Sequence, residues 1–190
     1  MTGKTHQIIG IGAGLGSYLV YAHPVYGPAT LAWVSVVSSI GALLPDIDSP
    51  AARIWQGLPF FGHIAEEALN PVLQHRNITH SLLGFGLISY LIYRLGLHIP
   101  GYWGLDVPKI EIAFFLAYGS HLVADAITVQ GIPLFFPNQH MFGFPPHPFQ
   151  GIRIETGKWF ENFIVFPLVN VALAVLIWLH WGLITTILFH

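Results

Sequence analysis

Five apolar stretches long enough to cross a bilayer constrain this chain before any motif does: residues 7–26, 28–44, 81–97, 110–129 and 163–189, the third broken only by Arg94. Lipid offers no partner to a bare backbone amide, so spans of this length must be helices. The expected fold is therefore an all-α, polytopic integral membrane bundle of about five transmembrane helices. With 54 % hydrophobic and only 8 % charged residues, the composition supports the same class. At 190 residues, the chain has room for a single domain over 1–190 and not for a second folded unit. The first stretch follows Lys4 as a signal peptide would, yet it has no A-x-A cleavage pattern and is expected to be a retained span. Its Gly10, Gly12, Gly14 and Gly16 suit close helix packing.

A formal net charge of −2 gives none of the basic excess that nucleic acid requires, so no nucleic-acid partner is expected. Absence of Cys removes disulfides and thiolate chemistry together. Imidazole and carboxylate remain as metal ligands.

Those groups are not scattered. His6 stands at the start of the first stretch, Asp46 and Asp48 at the end of the second, His75 and His80 at the start of the third, and His121 and Asp125 towards the end of the fourth. Threaded up and down through the bilayer, all four positions meet one side. His121 and Asp125 are four apart and share a helix face. An ionisable pair inside an apolar span is expensive unless partnered and usually marks function. Taken singly, the others have plainer readings: His6 as a polar helix start, Asp46 and Asp48 as turn residues around Pro45, and His75 and His80 as interfacial groups with Thr79 capping the third helix. Lys4, Arg53, Arg76, Arg153 and Lys158 lie on the cluster's side, against Arg94 and Lys109 opposite, which places the cluster at the cytoplasmic face. Residues 130–157 are rich in Pro, Gly and Phe without a helical period, and are expected to form an ordered loop at the bilayer interface, carrying His140 and His147.

Four motifs, THQIIG at 5–10, LLPDID at 43–48, HRNITHS at 75–81 and GSHLVAD at 119–125, together resemble the YdjM-like membrane-bound metal-dependent hydrolases of bacteria and archaea. The likeness spans most of residues 2–137. It implies an inner-membrane protein with hydrolase activity, in which His6, Asp48, His80, His121 and Asp125 are the matching positions. The ligand order also resembles, more distantly, the zinc-dependent phospholipase C and P1 nuclease group.

The chemistry that fits is phosphoester hydrolysis assisted by one or two divalent ions, Zn foremost, with Mn, Fe or Co also suited to His and Asp. Asp48, His80, His121 and Asp125 are expected as the core ligands, with His6 holding a second ion across Asp125 and Asp46 and His75 in supporting positions. Arg76, Lys4 and Thr79 are candidates for binding the substrate phosphate or orienting its ligands, and Asp48, His80, Asp125 and Arg76 for catalysis. A site at headgroup depth points to a membrane lipid, specifically a lipid phosphate, as substrate. A divalent-ion or proton transporter using the same residues is the alternative, and an inactive scaffold tied by a metal is a third reading.

Overall fold

Proline and capping residues set the helix limits in the computed structural model, which describes residues 1–20, 27–48 and 78–189. Helix α1 runs Gly3–Val20. Helix α2, Pro28–Leu43, begins with proline where no amide partner is needed and passes at Leu44–Asp48 into a 3-10 turn containing Pro45. A second 3-10 turn, Ile78–His80, precedes α3, Leu82–Gly96. Ser81 caps α3, its Oγ accepting the Gly84 amide at 3.1 Å, so the capping role expected of Thr79 belongs to its neighbour. Helix α4, Val107–Ala126, is capped by Asp106 through the Lys109 amide at 3.2 Å and starts three residues before the apolar stretch that announced it.

The fifth stretch is not one helix. A π-helical turn, Glu161–Val165, leads into α5, Phe166–Leu179, and the chain leaves helical geometry at His180 before α6, Trp181–Phe189. The Leu176 carbonyl accepts both the His180 backbone amide at 3.2 Å and the His180 Nδ1–H at 2.9 Å, which closes the end of α5. Among the described residues there are no named strands; segment 127–157 is held by isolated bridges, Thr128 with Ile154 and Ile132 with Phe142. That ordered segment carries exposed Phe135, Phe144, Phe149 and Ile152.

α4 is the central helix and packs on α1, α2 and α3, while α5 lies along α1. Leu15, Tyr18, Leu19, Val34, Ala113 and Ile187 form one core cluster, and Phe114, Tyr118, Leu122 and Ile132 a second. Around them the usual order is inverted. Leu87, Leu91 and Leu95 on α3 and Leu168, Val171 and Trp178 on α5 are exposed, whereas His6, His80, His121, Asp125 and Glu161 are buried. A surface of this kind suits lipid. Two helical segments, Pro28–Ile47 and Glu161–Leu179, are long and apolar enough to cross a membrane, and Leu82–Gly96 is apolar but shorter.

Two of the four glycines in α1 are explained by contact. A β-carbon on Gly10 would collide with Ala42, and one on Gly14 with Ser38 and the Ala113 carbonyl, whereas Gly12 faces open space. Gly14→Leu is expected to lower stability by about 1–3 kcal/mol through overpacking, and Gly12→Ala to be neutral or stabilising. Thermal unfolding of the two variants in the same detergent checks the contrast.

Candidate metal centre

Four elements each deliver one part of a buried polar cluster. α1 supplies His6, the turn after α2 supplies Asp46, the turn before α3 supplies His80, and the last turns of α4 supply His121 and Asp125. Asp46, His80, His121 and Asp125 offer ligand atoms that all lie within 4.8 Å of one another, a group able to hold a metal ion. His80 Nε2 stands 3.3 Å from His121 Nε2, 3.4 Å from Asp46 Oδ1 and 3.6 Å from Asp125 Oδ2. His121 Nε2 stands 3.7 Å from Asp46 Oδ1 and 3.8 Å from Asp125 Oδ2. A tetrahedron with metal–ligand bonds of about 2.0–2.1 Å has edges of about 3.3–3.4 Å, so a small contraction of this set closes it around one ion. Two carboxylates and two imidazole nitrogens aimed at a common point are hard to reconcile with burial unless a cation sits between them.

Local packing fixes each ligand's direction. Gly41 lets the end of α2 come close to α4, since a β-carbon there would lie 2.9 Å from the Phe114 carbonyl oxygen. The carbonyl of the next residue, Ala42, accepts the His121 Nδ1–H at 2.7 Å, which leaves the Nε2 lone pair facing the cluster. The Tyr118 hydroxyl donates to the Thr79 carbonyl at 2.7 Å and pins the turn that bears His80. Thr79 Oγ1 lies 3.3 Å from His80 Nδ1, so the hydroxyl is placed to orient that ring.

His6 enters differently. Its Nε2 lies 3.1 Å from Asp125 Oδ1, and its ring stacks on His121 with centroids 3.7 Å apart. It therefore holds the outer oxygen of Asp125 while Oδ2 faces the other ligands. The amino group of Met1 also contacts Asp125 Oδ1. Among the cluster carboxylates and imidazoles only Asp46 is appreciably exposed, at 19 % of its side chain, so the site opens past Asp46.

Sequence reasoning placed Asp48 in the core set and Asp46 in a supporting position. Asp46 meets His80 and His121 directly. The Asp48 side chain, His75 and Arg76 lie outside the described residues. Lys4 is exposed, two positions from His6 and so on another face of α1, and His140 and His147 are exposed in the loop; none of these three belongs to the ligand group.

Glu161 is the functional-site neighbour that sequence reasoning missed. Fully buried, it accepts the Thr2 amide at 2.7 Å, the Thr2 hydroxyl at 2.8 Å, the Thr5 hydroxyl at 2.6 Å and the Gly157 amide at 2.7 Å. It anchors the turn that carries His6. A lone carboxylate heading the most apolar stretch was the available signal.

His121→Ala is expected to weaken divalent-ion binding by more than about a hundredfold. Thr79→Val, which keeps shape and removes only the hydroxyl beside His80, should weaken it by roughly tenfold. Competition against a chromogenic chelator measures both, and unchanged affinity in His121→Ala would contradict the assignment.

The family described as YdjM inner membrane protein matches residues 1–189, well past the region that the sequence motifs cover. Bacillus subtilis YvsG is 31 % identical over 165 residues, covering 87 % of this chain and 88 % of that protein. Inner membrane protein YdjM of Escherichia coli K12 is 27 % identical over 183 residues, covering 95 % and 82 %, and its Shigella flexneri counterpart matches equally. No solved structure matches. These matches do not extend to the phospholipase C and P1 nuclease group. With a match along essentially its whole length and the four motifs gathered at one buried centre, the chain belongs to the YdjM family of inner membrane proteins.

Proposed function

We propose that this protein is a membrane-embedded, metal-dependent hydrolase that cleaves the phosphoester of a lipid phosphate or lipid headgroup. The observation that carries the reading is the convergence of Asp46, His80, His121 and Asp125 on one point, with access past the partly exposed Asp46. A divalent ion held there, Zn foremost, supplies water activation and a counter-charge for the phosphoryl oxygens. The protein's own groups do the rest. Ala42 and Thr79 hold the two imidazoles in the orientation that binding needs. His6 sets the Asp125 carboxylate through Nε2. In the overall reaction water oxygen joins phosphorus, the bond from phosphorus to the lipid oxygen breaks, and that oxygen receives a proton.

A site at the helix ends of an apolar body favours a substrate that is itself in the membrane. In this reading α1 to α4 and the α5–α6 unit make five crossings, with the cluster at the cytoplasmic face. Among the described cations, Lys4, Arg153 and Lys158 are at the cluster end and Arg94 and Lys109 at the other, which supports that orientation. The exposed aromatics of the 127–157 segment would lie at headgroup depth on the same side.

One observation favours a second reading. Four protein ligands complete a tetrahedral shell, the hallmark of a structural ion that ties α2, α3 and α4 together, whereas catalytic sites keep a position open. The exposure of Asp46 speaks for catalysis, because a carboxylate at the mouth can yield its place to substrate. The transporter alternative fares less well, since the helix halves away from the cluster pack largely through Leu15, Leu19, Val34 and Ala113.

Reconstituted, metal-loaded protein is expected to release inorganic phosphate from phosphatidic acid in vesicles, and Asp125→Asn to lose at least about a hundredfold in rate. Bound metal with no turnover of any phospholipid would favour the structural ion. Uptake of the ion into sealed vesicles would favour the transporter.

A further inference from the structure

Beside the metal centre, α1, α3, α4 and the start of α5 frame a groove of about 760 Å³ whose lining is almost wholly apolar. Small residues open it: Ala13 on α1, and Gly119, Ser120 and Ala124 on α4. Phe85 from α3 and Val169 from α5 stand at its sides.

The groove is continuous with the cluster. Ala124 adjoins Asp125 in the chain, and Met1 lines the groove while its amino group touches the Asp125 carboxylate. On α1, His6, Ile9 and Ala13 recur at spacings of three and four, so the face that brings the imidazole to the site also walls the groove. On α4 the lining runs from Ile127, next to the ligands, back to Phe115. That is about 18 Å at 1.5 Å per residue. A single leaflet is about 15 Å deep, half of a hydrocarbon core of ~30 Å.

We propose that this groove holds one acyl chain of the lipid whose phosphate is presented to Asp46, His80, His121 and Asp125. The inference rests on the hydrolase reading for the identity of the headgroup, and on the groove itself for the chain. A lining without polar side chains beyond Ser120 has nothing to offer a headgroup. A polar cluster at one end and an apolar trough one leaflet long match a lipid's own division into head and tail. The volume falls within the roughly 300–1,000 Å³ range of ligand pockets, so the groove accommodates a single chain and leaves the second in the bilayer.

Gly119 gives a clean test. A β-carbon there would meet nothing nearer than Phe85 Cε2 at 4.0 Å, so a larger side chain enters the groove without striking backbone, and leucine favours the helix over glycine. The full chain, reconstituted in phosphatidylcholine vesicles, is exposed to phosphatidic acid carrying a diazirine midway along one chain, and cross-linked sites are mapped by mass spectrometry. Labelling is expected to concentrate on 9–13 and 115–127, and Gly119→Leu to reduce it there at least fivefold. Phosphate release is followed on the same samples. Groove labelling that Gly119→Leu abolishes, without hydrolysis by the wild type, supports the groove and removes the hydrolase. Labelling spread evenly over the exposed faces of α3 and α5 and indifferent to Gly119→Leu overturns the groove, even if hydrolysis is robust.

Discussion

Two carboxylates and three imidazoles are gathered in a pocket that is buried except at Asp46, and the four packed helices all contribute to it or hold it in place. Each group alone would be costly to bury, and the hydrogen bonds within the cluster do not balance two carboxylates facing the same imidazole nitrogens. A divalent cation held between them would resolve the conflict. The close approach of α2 to α4 at Gly41 sets the Ala42 carbonyl beside His121 and so serves the same cluster. The same demand for closeness places Gly10 and Gly14 where α1 crosses α2 and α4.

Much of this was legible from residue order because lipid makes sequence unusually informative. An ionisable residue inside an apolar span stands out, as His121 and Asp125 do, and His6 and His80 were found because they stand at span ends that meet the same side. That Asp46 reaches His80 and His121 depends on how a 3-10 turn winds around Pro45, which spacing does not record. Ser81 rather than Thr79 caps α3 because the chain is still in a 3-10 turn at Thr79. Glu161 escaped because its partners are neutral, Gly157 by its backbone amide and Thr2 and Thr5 from the far end of the chain. The break at His180 escaped because the residues on both sides are equally apolar, so hydropathy shows one stretch where geometry shows two helices.

The fold also suggests how one scaffold serves two solvents. α4 shows His121 and Asp125 to the polar pocket, while Leu116, Gly119 and Val123 on another face border the apolar groove. α1 repeats the division with His6 above Ile9 and Ala13. A lipid lying along this pair would meet polar ligands and apolar walls in the order of its own head and tail. Glu161 joins the C-terminal helices to the turn that carries His6, so α5, which walls the groove, is mechanically linked to the site.

X-ray absorption at the edge of the bound metal tests the central claim most directly, because it reads the ligand shell without reference to any reaction. The account predicts a four-coordinate ion with two imidazole nitrogens and two carboxylate oxygens at about 2.0–2.1 Å. A six-coordinate, all-oxygen shell, or a spectrum unaltered by replacing both His80 and His121, would contradict it.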